Sequence, residues 1–261
     1  GTMGVVLANS TDNIINIDNT GGIAISSVIS GLVAGNKLTK TGSGSGVLQL
    51  TGANTYTGLT TVSGGTLQFN RSGGTTIPTG NSVTVSNGGT LLISTTQTLA
   101  NVTVDAGGTL ILAAGITVTG TFTVNGTLQI NSGGFTNTAP NYGSTSLLKY
   151  NTGASYGRGL EWSATSGAGY PANVQISTTN TSLNLGNNGA GTARQCSGNI
   201  TIDAGTTLTM NGTAMTAALT ALGDMNLAGT LVLSSSIGGD IKIGGNWNFT
   251  VGGTFTSNSR A

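Results

Sequence analysis

The chain has 261 residues, of which 36% are hydrophobic and only 6% charged, with 45 glycines and no histidine. That is too apolar for a disordered glycine-rich linker. Eight basic against seven acidic residues leave no basic footprint for nucleic acid and no polybasic patch for a membrane surface.

The lone Cys196 excludes an internal disulfide and a cysteine-based zinc cluster, and reads as a small buried residue. No apolar run approaches the roughly 18 residues of a membrane span. The N-terminus has no signal-peptide pattern and Gly1-Thr2-Met3 reads as an appended remnant, so the expectation is a segment cut from a longer precursor.

No window holds a sustained helical period, whereas short alternating runs broken by glycine recur along the chain. The first is Asn16 to Ile25, with Ile17, Ile23 and Ile25 expected inward and Asp18 and Asn19 as turn formers. Next, residues 40–69 carry Lys40, Gly46, Leu48, Leu50, the run Gly52-Ala-Asn-Thr-Tyr-Thr-Gly58 and the turn Gly64-Gly-Thr-Leu67. This stretch resembles the autotransporter-associated β-strand repeat. The resemblance implies a secreted, surface-displayed β-helical passenger.

From Ser82 to Ile130 one pattern appears three times: an alternating run, a glycine turn and a second alternating run. A single copy cannot bury its aliphatic face, but stacked copies can. Residues 133–171 are expected to form an irregular loop insertion, because Pro140 and its Asn/Thr neighbours offer no alternation. Alternating runs resume at Asn173-Val-Gln-Ile176 and continue to Phe255.

Gly159-Leu-Glu-Trp-Ser-Ala164, Gly169-Tyr-Pro-Ala-Asn-Val-Gln-Ile176, Ala193-Arg-Gln and Gly238 to Trp247 resemble β-helical segments of large secreted proteins of Bacteroidetes exported by the type IX system. That resemblance spans roughly residues 145–260. Both resemblances imply a bacterial surface location.

Residues opening each second run supply a phase marker: Ile23, Leu48, Leu67, Leu91, Leu110, Leu128, Leu160, Leu183, Leu208, Leu231 and Phe255. Their mean spacing of about 23 residues is one coil of a β-solenoid, and the uneven coil length favours a right-handed parallel β-helix of about eleven coils. The whole of 1–261 is therefore read as a single β-helix segment. An uncapped last layer at Phe255 would leave core exposed, so neighbouring domains of the same long chain are its expected partners.

The richest chemistry lies in Tyr156, Arg158, Glu161, Trp162 and Tyr170. Aromatic rings stack on sugar faces while Arg and Glu hold hydroxyls, so these residues are a candidate contact loop for surface glycans or for other copies of the protein. The alternative is a loop folded over the solenoid flank, with Trp162 in the core and Arg158 paired with Glu161. Asp18, Asp105 and Asp203 precede glycine turns and read as turn formers rather than calcium ligands.

Asp224 and Asp240 are the least implausible pair for a carbohydrate-active β-helix enzyme, which needs clustered carboxylates. With no histidine and no acidic cluster the chain reads as non-catalytic, without cofactor or metal. Threonines 103, 117, 119, 121, 123 and 201 are expected outward, where stacked coils line them into ladders. Such ladders suit an exposed parallel strand, or ice binding.

Overall fold

The computed structural model describes residues 4–8, 12–43 and 45–258. Gly1-Thr2-Met3, Gly44 of the repeat-like stretch and residues 259–261 lie outside the described residues. The fold is an all-β parallel solenoid of about eleven turns. Its turns fall into two compact units, Gly1–Leu128 with Gly133–Thr138, and Gln129–Ser132 with Ala139–Ala261.

In the first unit one ladder runs through Ile23–Ile25, Val47–Leu50, Gly65–Phe69, Gly89–Ile93 and Thr109–Leu112. The strands pair in parallel, so that Ile23 meets Leu48, Leu48 meets Leu67, Leu67 meets Leu91 and Leu91 meets Leu110. Two residues along, Leu50, Phe69, Ile93 and Leu112 form a second column, and both columns are fully buried from Leu48 onward. Alternation puts these residues on one face, and each fully buried side chain of this size contributes about 2 kcal/mol.

A second ladder joins Asn13–Asn16, Leu38–Thr41, Thr60–Val62, Val83–Val85, Val102–Val104 and Phe122–Val124. Its middle residue points outward, which stacks Thr39, Thr61, Thr84, Thr103 and Thr123 in register over five turns. Between the ladders the chain turns on glycine. Gly107 has φ +79°, and a Cβ on Gly108 would lie 2.4 Å from the Val85 carbonyl oxygen of the preceding turn.

The repeat-like stretch ties turns together through buried polar groups. Asn54 Oδ1 accepts the Ile29 N–H at 2.8 Å while its Nδ2 donates to the Thr76 carbonyl at 3.0 Å. Tyr56 is fully buried, with its hydroxyl 2.7 Å from Thr60 Oγ1. Lys40 is buried as well, and its ammonium donates to the carbonyls of Thr41 and Gly64.

The second unit repeats the plan with longer excursions. One ladder comprises Leu147–Asn151, Asn173–Ile176, Ile200–Ile202, Met225–Leu227 and Trp247–Phe249; another comprises Ser155–Gly157, Ser182–Asn184, Thr207–Thr209, Thr230–Val232 and Thr254–Thr256. The column Leu183, Leu208, Leu231 and Phe255 belongs to the second of these, and Tyr156 stands at its head.

Leu160, a phase marker in the sequence reading, is in neither ladder. It lies in a short 3-10 turn, Leu160–Trp162, and is 43% exposed. Both ladders of this unit are set before residue 158, by Leu147–Asn151 and Ser155–Gly157, so the marker falls in the strand-free stretch 158–172, where no alternation holds the frame. Within 133–171 the chain still supplies Leu147–Asn151, paired with Asn173–Ile176, and Ser155–Gly157, paired with Ser182–Asn184.

Candidate functional site

The 3-10 turn begins at Gly159 without a side-chain cap of the usual kind. Glu161 provides one by reaching back, its Oε1 accepting the Gly159 N–H at 2.7 Å and the Tyr150 hydroxyl at 3.0 Å. Its other oxygen, Oε2, is buried with no hydrogen-bond partner. Burial therefore pushes the carboxyl above its ordinary value, opposed in part by the Gly159 and Tyr150 hydrogen bonds and by the charge of Arg158.

Arg158, 1% exposed, acts as a spoke. Its Nε donates to the Leu185 carbonyl at 3.1 Å, Nη1 to Gly159 and Trp162, and Nη2 to Asn187 and Asn188. All five N–H groups of a guanidinium are thus used on backbone carbonyls. The bond to Leu185 and those to Asn187 and Asn188 reach the following turn. Arg158 and Glu161 act on each other through space, while each makes its own hydrogen bonds elsewhere.

Trp162 is fully buried and its indole N–H donates to the Gln195 carbonyl at 2.8 Å. The Gln195 amide in turn donates to the Tyr170 hydroxyl at 3.2 Å, and Tyr142 donates to the Glu161 carbonyl at 2.9 Å. A second arginine, Arg194, is 2% exposed and donates to the carbonyls of Thr192, Ala193 and Gly189, leaving its Nε buried without a partner. Burial, and then the charge of Arg158, brings its pKa down to about 10.

The structure therefore gathers the five candidate residues with Tyr142, Tyr150, Arg194 and Gln195. Arg158, Glu161 and Trp162 face inward and fasten residues 158–172 to the turns beside them. Sequence reasoning did not find the part taken by Arg194 and Gln195. The available signal was that an arginine in so uncharged a chain is rare enough to need a reason, yet nothing in the spacing says which loop it serves.

Tyr156 differs from the rest. It is half-buried, its ring lies 5.6 Å from that of Tyr150, and it borders a groove of about 390 Å³ with Ser155, Gly157, Ser182, Asn184 and Thr209. Gly157 is in register with Asn184 and Thr209 of the next turns, and the Asn187 amide fills the place of its missing side chain, 2.4 Å from where a Cβ would stand.

Among the aspartates singled out for metal or catalysis, Asp18, Asp203 and Asp224 have structural partners. Asp18 accepts the Ser43 N–H at 3.0 Å, Asp203 accepts the Gln175 amide at 2.8 Å, and Asp224 accepts the Asn246 N–H at 2.7 Å. The Asp105 carbonyl closes its glycine turn by accepting the Gly108 N–H at 2.9 Å.

Fold and surroundings together define a parallel β-solenoid segment whose charged groups are spent largely on holding its own turns. Residues 38–69 match the family model of the passenger-associated-transport-repeat, a repeat of autotransporter passengers. They include Lys40 and Asn54, which bond one turn to another. No curated protein and no solved structure matches the chain.

Proposed function

We propose that the chain is a non-catalytic, structural segment of a secreted passenger that stands on the bacterial cell surface and carries a contact site there. The supporting observation is the in-register stacking of Leu48, Leu67, Leu91 and Leu110 within a chain that matches a passenger repeat at 38–69. Parallel strands with paired backbones and an aliphatic core resist unfolding without any ligand. Low charge leaves little for salt to screen. Export by the type IX route is the more specific form of the proposal.

Surface labelling tests it. An epitope placed at the exposed Ser166 is expected to bind antibody on intact producing cells. Labelling only after the cells are permeabilised overturns the surface role.

A second reading, ordering of water or ice, draws on the outer threonines. Thr61, Thr84, Thr103 and Thr123 stack in register, and their hydroxyls have no protein partner among the described residues. Thermal hysteresis above that of a control protein would support it; none at millimolar protein dismisses it.

A further inference from the structure

We infer that copies of this chain join head to tail, the last described turn of one copy seating on the first described turn of another. The observation that points there is where apolar side chains meet water. Of the fourteen large hydrophobic residues that are exposed, six lie between Val6 and Val33 and six between Leu222 and Phe255, which leaves only Phe135 and Leu160 in the long stretch between. Exposure gathers toward the two ends.

Register shows that several of these are core positions without a cover. Trp247, Phe249 and Phe255 continue columns whose preceding members, Met225, Leu227 and Leu231, are fully buried, yet they are 39%, 54% and 40% exposed. At the other end Ile23 is 48% exposed, although its partner Leu48 in the next turn is fully buried. The bare side of each is the side on which one more turn would lie.

The backbone is bare in the same places. Among the described residues, Val5–Leu7, Asn13–Asn16 and Ile23–Ile25 each open a ladder, and Ile241–Ile243, Trp247–Phe249 and Thr254–Thr256 each close one. Every one of these six strands has an edge along which no other strand lies, a template for further pairing. The ladders are parallel, so the two ends differ: the head bares the edge that a preceding turn covers elsewhere, and the tail bares the edge that a following turn covers. Two heads or two tails can meet only antiparallel, whereas a head and a tail meet as successive turns already do. Continuity with the joint between turns therefore names the occupant as a second copy, since the chain itself carries both halves of that joint. Such a heterologous contact propagates, into an open fibre or, where the rotation closes, a ring. The inference goes beyond the surface role and does not depend on it.

Sedimentation velocity over a range of concentrations tests it. The parent is expected to form oligomers that grow with concentration. Ile23→Lys puts a charge on the head and Trp247→Lys puts one on the tail, and each alone is expected to stay monomeric, because every joint needs one of each surface. Mixed in equal amounts, the two are expected to form dimers and stop there, the unaltered tail of the first on the unaltered head of the second. Acrylamide quenching gives a separate reading: of the two tryptophans Trp162 is fully buried, so the quenchable emission is that of Trp247, and quenching should fall as the parent assembles. A parent that is monomeric at every concentration overturns the inference and leaves the ends to a different partner. Assembly of either variant alone overturns it too, since like ends or flanks would then be joining, and so does a mixture that stays monomeric. Thermal unfolding shows whether each variant is folded; Ile25→Lys or Phe249→Lys replaces one that is not.

Discussion

The side-chain oxygen of Asn199 accepts the Asp224 N–H at 2.7 Å, handing a hydrogen bond from one turn of the solenoid to the next. Asn173 does the same for the Asn199 N–H at 3.0 Å, and Asp224 for that of Asn246 at 2.7 Å. Glycine precedes each residue whose N–H donates, because the accepting oxygen occupies the place of a side chain. A Cβ on Gly223 would sit 2.3 Å from Asn199 Oδ1 and 2.8 Å from the Gly198 carbonyl carbon.

Gly223→Ala is therefore expected to destabilise the protein by about 2 kcal/mol, as overpacking does. Asn199→Ala should cost about 1 kcal/mol, the value of one hydrogen bond. The double variant should cost less than the sum, since removing Asn199 relieves one of the two clashes. Urea unfolding of the four proteins checks this. Strict additivity would mean that the glycine and the asparagine are unrelated.

Arg158 gives the second prediction. Lysine keeps the charge but offers three donors from one point, so it cannot fan out to carbonyls on both sides of the chain. Arg158→Lys should loosen residues 158–172 at a cost of about 2–3 kcal/mol, left by several unpaired buried carbonyls. Amide hydrogen exchange should quicken in that stretch and around Asn187 and Asn188, while the Leu48–Leu110 columns keep parental protection. Unchanged exchange near Trp162 would show that the spoke is dispensable.

Glu161 makes stability depend on pH in an unusual direction. Burial raises the folded carboxyl above the 4.5 of an ordinary glutamate, so over the interval between those values the folded state keeps a proton that the unfolded chain has lost. Stability from this group is full below about pH 4.5 and declines as pH rises through the folded value. The melting temperature is expected to fall from pH 4 to pH 8 more steeply in the parent than in Glu161→Gln, which has nothing to ionise. Asp18, whose carboxyl is lowered by its bonds to Asn16 and Ser43, works the opposite way but is common to both proteins. Parallel pH curves for the two would refute the buried, proton-holding role.

Much of this was legible in the residues because a parallel solenoid repeats one local rule. Alternation plus a glycine corner places Leu67, Leu91 and Leu110 in one column before any coordinate is known, and the pairing agrees. What was not legible lay where the rule lapses. Leu160 resembles its fellow markers in sequence, yet the stretch 158–172 has no strand to carry the phase through it. The relation of Arg158 to Glu161 was equally hidden: a short spacing allows an ion pair, but burial beside so many carbonyls gives the guanidinium better uses. Lys40 and Asn54 could be matched to a repeat, while their work, bonding one turn to another, depends on neighbours about 20 residues away.

Cys196 supplies the last prediction. It sits in the strand Arg194–Cys196, opposite Ala221 of the next turn, with no exposed surface. Removal from water pushes its thiol up to about 12, and the thiolate is the form that reacts. Iodoacetamide at pH 8 should leave the folded protein unlabelled over hours and label it within minutes in urea. Because the side chain serves as a small apolar filler, Cys196→Ala should cost about 1 kcal/mol, and Cys196→Ser more, since a hydroxyl there is drier than it tolerates unless it keeps the Gly198 carbonyl as acceptor. Rapid labelling of the folded chain would place the thiol at the surface and contradict the packing of that strand.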